Sequence, residues 1–179
     1  MINDQELIFV VDENNDPIVS AARDIVHQKG LWHRSCDIWV INSKGEILCQ
    51  KRSMKKDVKP GKWESFFGGH VLAGEDYLDS AVKELAEELG IATRFSQSDF
   101  FKIYKSDEES GRGYPHRQFK YIFRLKRDGA LDGFAYEKDE IDGLKWVPLA
   151  KLRKIIVDEK NTDWSLPGYA KEVLDWLQK

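Results

Sequence analysis

Apolar positions along this chain recur at two spacings, and the switches between the two mark out its elements. Over residues 76–89, Leu78, Ala81, Val82, Leu85 and Leu89 fall at helical spacing and make one apolar stripe, which predicts a helix. Gly90 follows as the residue that stops it. Residues 116–125 alternate instead, with Phe119, Tyr121 and Phe123 on one side and Gln118, Lys120, Ile122 and Arg124 on the other, as a strand requires. Short apolar runs at 7–11, 37–41, 46–50, 100–104 and 141–147 predict further strands. Asn42, Ser43, Lys44 and Gly45 join two of these as a hairpin.

Residues 20–28 are predicted helical with Ser20 as the N-cap, and 149–157 and 168–177 close the chain as two more helices. The polar stretches 12–17, 106–114 and 128–133 read as turns and loops. Strands interleaved with helices predict an α/β fold, an α/β/α sandwich around a mixed β-sheet. No repeat or low-complexity segment interrupts the pattern.

A chain of 179 residues suits one domain spanning 1–179, with an N-terminal extension at 1–32 and C-terminal helices within 149–177. The net charge of −3 carries no global basic field, so neither nucleic acid nor an anionic membrane is an expected partner. Cys36 and Cys49 both sit in strand-like runs, which favours buried thiols over a disulfide framework. Met1 to Glu6 is polar and lacks the basic opening of a signal peptide, and no apolar run reaches membrane-spanning length. The expected location is cytoplasmic. A homodimer is left open.

The chemistry enters on the predicted helix. Glu84, Glu87 and Glu88 share a face beside the apolar stripe, and like charges at such spacing cost a few tenths of a kcal/mol per pair. That face is either a solvated acidic surface or a site for a hard divalent cation, whose preferred ligands are carboxylate oxygens. The surroundings favour the cation: Glu75 stands in the preceding loop and glycines lie at fixed offsets.

Residues 69–91 resemble the signature of the Nudix hydrolase family, Gly-x5-Glu-x7-Arg-Glu-U-x-Glu-Glu-x-Gly-U, with U a bulky aliphatic residue. Gly69, Glu75, Glu84, Leu85, Glu87, Glu88, Gly90 and Ile91 meet it, and Lys83 stands where the family usually has arginine. Lysine keeps the charge but lacks the planar fork that grips a carboxylate. The resemblance implies a pyrophosphohydrolase using Mg2+, or Mn2+, on a small-molecule diphosphate. It implies Glu87 and Glu88 as central metal ligands, with the Gly68 carbonyl near them and Glu84 as a ligand or the base. Glu75 would be structural, pinned through Lys83.

Residues 51–62 form the one concentrated basic stretch, either a solubilising connector or a source of phosphate contacts, with Lys51, Arg52 and Lys56 as the candidates. Trp39, Trp63, Tyr104 and Tyr114 are candidates for stacking on a base or for the core. Glu137, Asp139 and Glu140 are a further acid cluster, either functional or a solvated turn.

Upstream of the signature the chain also resembles the isopentenyl-diphosphate isomerase branch. The shared features are Asp12-Glu13, a hairpin into Lys51-Arg52, Pro60-Gly61-Lys62-Trp63, and Gly69-His70. That branch carries a catalytic cysteine where this chain has Gly68, and glycine cannot transfer a proton. It also holds a metal through histidines and glutamates. His27, His33 and His70 echo that set, whereas His116 and Gln118 stand near where the glutamates would be. Whether these four histidines hold an ion or simply bond backbone and water is open at this point.

Overall fold

The computed structural model describes residues 6–56, 58–109, 113–158 and 160–178. Parts of the polar opening, of the basic stretch (Asp57) and of the 106–114 loop therefore lie outside the described residues.

The elements run β1 (Leu7–Val11), β2 (Pro17–Ala22), α1 (Arg23–Gln28), β3 (His33–Ile41), β4 (Glu46–Arg52), β5 (Trp63–Glu64), α2 (Tyr77–Leu89), β6 (Phe100–Glu109), β7 (Pro115–Lys126), β8 (Ile141–Pro148), α3 (Leu149–Ile156) and α4 (Ala170–Leu177). All eight strands join one mixed sheet, with β3 and β7 parallel and the remaining pairs antiparallel. The sheet carries a buried cluster on each face, which is the predicted α/β/α layering.

β3 shows why both faces are covered. Its period-2 alternation sends Trp39 and Ile41 into one cluster with Leu152 of α3 and Val173, Leu174 and Leu177 of α4. Ile38 and Val40 point the other way, onto Ala81, Leu85 and Leu89 of α2. Each fully buried leucine of α2 contributes about 1.5–3 kcal/mol of burial, and that anchors the helix carrying the acids. Asp76 caps α2, its Oδ1 accepting from the Asp79 N–H at 2.8 Å. Gly90 ends the helix in the left-handed region at φ 65°, and its N–H bonds back to Ala86.

Residues 20–22 depart from the predicted helix. They belong to β2, which pairs with β1 from Leu7↔Ala22 to Val11↔Pro17, and α1 begins only at Arg23. Pairing the β1 edge outweighs the weak helical preference of Ile18, Val19 and Ser20, and Ser20 pairs with Phe9 instead of capping. β4 runs to Arg52, so Lys51 and Arg52 lie on a strand, not in a loop. β6 continues through Glu109, taking in the start of the predicted loop at 106–114. Among the described residues no helix is long and apolar enough to cross a membrane.

Candidate active site

The strap between β5 and α2 builds the site. Residues 67–73 run antiparallel along β3 and β1 through backbone bonds: Phe67 with Ile38, the Cys36 N–H to the Gly69 carbonyl at 2.9 Å, and the Val71 N–H to the Arg34 carbonyl at 3.0 Å. These bonds hold Gly68 and Gly69 beneath the acidic face of α2. The Gly68 N–H donates to Glu88 Oε2 at 2.8 Å. Glu84 lies over Gly69, so close that a Cβ added at Gly69 would stand 2.5 Å from Glu84 Oε1. Gly68 has φ 133°, and a Cβ there would meet the Cys36 carbonyl oxygen at 2.1 Å. Gly68 thus has no room for a side chain, and one at Gly69 would have to push the Glu84 carboxyl aside.

The electrostatics follow from that packing. Burial, reinforced by the charge of Glu87, raises the Glu84 carboxyl to about 7. Burial and the charge of Glu84 raise Glu88 to about 8, against the opposing pull of the Gly68 N–H. Glu87 is exposed on the outer side of the same face. Two partly buried carboxyls that resist ionising side by side, over glycines that leave their oxygens clear, are a donor set fit for a hard divalent ion.

Glu75 is held by two donors: Ser80 Oγ at 2.8 Å and Lys83 Nζ at 3.4 Å. The Lys83 contact is the one the motif anticipates. Ser80, buried on the first turn of α2, is the tighter partner, and nothing in its spacing marks it out.

Two of the three candidate phosphate contacts in the basic stretch are already engaged by acids near the site. Arg52 pairs with Glu64 at 3.1 Å and donates to the Val58 carbonyl at 2.9 Å, and Lys56 pairs with Glu140. Glu140 and Glu64 both add to the negative field at Glu88, so these pairs flank it. Lys51 lies on β4 opposite Trp63 and Gly143. Of the other acids, Asp139 pairs with Lys55 at the exposed surface.

Of the candidate stacking residues, Trp39 is fully buried in the core and unavailable to a ligand. Trp63 is partly buried against Trp164, with ring centroids 6.0 Å apart, and Lys145 Nζ sits 3.4 Å from the Trp63 centroid. Tyr104 packs on Tyr169 at 4.9 Å. Cys36 and Cys49 are free and buried, and desolvation pushes both thiols up, away from nucleophile behaviour.

The four histidines do converge. His27 of α1, His33 of β3, His70 of the strap and His116 of β7 place one nitrogen each within 4.8 Å of all the others. Desolvation lowers His33 to about 3 and His116 to about 4, and holds His70 well below the usual range.

A model of the NUDIX domain matches residues 31–169, which takes in β3 through α3 and stops just before α4. The chain belongs to the Nudix family. A Yersinia pestis protein named as an uncharacterized Nudix hydrolase is 44% identical over 143 residues, covering 79% of this chain and 72% of its own. A Photorhabdus laumondii protein named isopentenyl-diphosphate Delta-isomerase 2 is 32% identical over 151 residues, covering 84% and 82%. The Nudix fold is seen again in a crystal structure from Deinococcus radiodurans, with TM-score 0.68 and 19% identity over 97% of this chain and all of that one. A MutT protein from Methanosarcina mazei superposes with TM-score 0.60 at 21% identity, covering 82% and 93%. Nudix membership implies action on a diphosphate linkage.

Proposed function

We propose that residues 1–179 act as one Nudix hydrolase domain that splits the diphosphate linkage of a nucleoside diphosphate derivative or a related small organic diphosphate. The observation that carries this reading is the pair Glu84 and Glu88, crowded over Gly69 and Gly68 with their carboxyls raised to about 7 and about 8. Repulsion of that kind is relieved by a divalent cation.

Glu84, Glu87 and Glu88 would hold Mg2+ or Mn2+, with the Gly68 carbonyl as a further oxygen. Such an ion supplies charge neutralisation at phosphorus and a more acidic bound water. The chain does the rest. α2 fixes the three carboxylates relative to one another, and the strap keeps Gly68 and Gly69 open beneath them. Water attacks one phosphorus, a new P–O bond forms as the anhydride P–O bond breaks, and the second phosphoryl group leaves as an anion. Glu84 would serve either as one of those ligands or as the base that accepts the proton released by the water. Of the three candidate phosphate contacts, Lys51 forms no ion pair among the described residues, while Arg52 and Lys56 must exchange Glu64 and Glu140 for substrate oxygens. A soluble cytoplasmic enzyme acting on a small molecule, with neither nucleic acid nor membrane as partner, accords with the net charge of −3.

The resemblance to isomerases supports a second reading, that the substrate is isopentenyl diphosphate and the reaction a proton shift. Gly68 opposes it. It occupies the position of the catalytic cysteine in that branch, and its φ of 133° and the Cys36 carbonyl leave no space for a thiol side chain.

The test is a phosphate-release screen over nucleoside and organic diphosphates with Mg2+ and Mn2+, run on the wild type and on Glu87→Gln. Hydrolysis by the wild type, abolished by chelator and by Glu87→Gln with an unchanged circular dichroism spectrum, is the expected result. Full turnover by Glu87→Gln at saturating Mg2+ would sink the assignment. Conversion of isopentenyl diphosphate to its isomer, followed by product chromatography, would establish the second reading instead.

A further inference from the structure

The structure assigns a second binding site, for a small organic phosphate monoester, to the cavity between the β3–β4 hairpin, the end of β7 and the end of α4. The cavity holds about 510 Å³ and is lined by Arg124, Lys126 and Arg127 beside an apolar floor of Ile41 and Leu177. That volume lies within the range of roughly 300–1,000 Å³ usual for small-molecule pockets.

The cavity is remote from the acidic cluster. β7 runs parallel to β3, with Arg124 opposite Trp39 and Lys126 opposite Ile41. Trp39 and Ile41 belong to the cluster under α3 and α4, so the two basic side chains extend from the face that α2 does not cover. The strap is bonded to β3 at Cys36 and Ile38, and the cavity begins three residues further on at Ile41, about 10 Å along the strand. The site does not depend on the hydrolysis proposed above.

Its charge is uncompensated. Three cations line the cavity against Asp128 alone, in a chain whose net charge is −3. Asp128 is turned to the hairpin, where its Oδ1 accepts from the Ser43 N–H and from Ser43 Oγ, both at 2.8 Å. Among the described residues Arg124, Lys126 and Arg127 form no ion pair. A cleft lined by one sign of charge concentrates the opposite ion.

Arg124 is also fixed in advance. Its guanidinium carbon lies 4.6 Å from the Trp176 ring centroid, and Trp176 stacks on Phe101 at 4.7 Å with the planes 16° apart. Its Nε is buried with no hydrogen-bond partner, so the stack and not an acceptor of the protein sets where this side chain lies. A guanidinium stacked on an aromatic face keeps the edge of its planar fork free for an oxyanion. A solvated basic surface is the competing account. It fits Lys126 and Arg127, which are exposed, but not Arg124, which is half-buried and gives up water without gaining an acceptor.

Two guanidinium forks and an ammonium match the oxygens of a phosphate dianion, whereas a carboxylate would occupy only one fork. Ile41 and Leu177 offer an organic substituent an apolar surface that inorganic phosphate would leave bare.

The experiment titrates the full chain with phenyl phosphate in the presence of a chelator, so that no divalent ion can bring phosphate to the glutamates. Binding is followed by calorimetry and by the indole N–H resonance of Trp176 in isotope-labelled protein, assigned by its loss in Trp176→Phe. The expected result is one equivalent bound per chain with a shift of that resonance. Removing a charge-assisted contact should weaken the affinity by about tenfold or more in Arg124→Gln and in Lys126→Glu, while Lys51→Ala binds as the wild type does. Lys126 is exposed, so its variant decides the matter should Arg124→Gln fail to fold. Full affinity in a folded Lys126→Glu, loss of binding in Lys51→Ala, an unmoved Trp176 resonance, equal affinity for inorganic phosphate, or no binding at all would each overturn the assignment.

Discussion

Glu84 occupies the space that a side chain at residue 69 would fill: a Cβ built on Gly69 would lie 2.5 Å from Oε1, 2.7 Å from Cδ and 2.8 Å from Oε2 of that one carboxyl group. The strap is bonded to β3 and cannot retreat, whereas the glutamate tip can. The absence of a side chain at 69 is therefore part of what sets the height of Glu84 above the strap.

Gly69→Ala follows from this. Its methyl group should displace the Glu84 carboxyl by about 1 Å while the backbone holds, and misplacement on that scale costs about 10²-fold in rate. Weakened Mg2+ binding and a fall of that order in kcat/KM, with an unchanged melting temperature, are the expected readings. Full activity in Gly69→Ala would show that Glu84 need not sit there.

The support of Glu75 makes a second case, decided by magnitude. The Ser80 hydroxyl is buried and donates to Glu75 at 2.8 Å, and a bond to a charged acceptor of this kind contributes about 1.5–3 kcal/mol. Lys83 reaches Glu75 only at 3.4 Å and is half-exposed, where ion pairs contribute about 0.2–1 kcal/mol. Ser80→Ala should thus destabilise the fold more than Lys83→Met in chemical denaturation. The opposite ranking would return the supporting role to the motif position.

A third prediction concerns pH. Burial raises the Asp37 carboxyl, with Lys120 and the Tyr169 hydroxyl, which donates to Asp37, pulling the other way. The folded chain therefore keeps a proton on Asp37 that the unfolded chain releases near the ordinary value of 3.8. Where the native state binds more protons, stability falls as pH rises. Asn at 37 can still accept from Tyr169 but does not ionise. Relative to Asp37→Asn, the wild type should be most stable below about pH 3.8 and lose ground from there up to the raised value, beyond which the difference levels off. Urea midpoints of both proteins across pH 3 to 8, roughly the range where folds are tractable, check this. A flat difference would mean that Asp37 ionises as freely folded as unfolded.

Much of the site's chemistry is legible in the chain because it is local. Glu84, Glu87 and Glu88 share a face whenever residues 77–89 are helical, since that follows from helix geometry alone. Asp76 and Gly90 bound that helix through contacts within a turn or so of themselves, and the α/β alternation needs only the two hydrophobic periods. The pairing of β2 with β1 was less visible, because residues 18–22 suit either helix or strand until an unpaired edge is beside them. Arg52 and Lys56 show the same limit: their charge is plain in the sequence, but Glu64 and Glu140 reach them through the fold.

Which acids exist, and that they line one helix, was thus a property of the sequence by itself. Tertiary structure decided what stands opposite them. The strap pairs with β3 through backbone hydrogen bonds that carry no side-chain signature, and only that pairing places Gly69 under Glu84 and the Gly68 N–H on Glu88. The same pairing brings His70 to His33 and, through β7 and α1, to His116 and His27. Contacts between distant segments depend on the register of the sheet, a long-range property that no local spacing encodes.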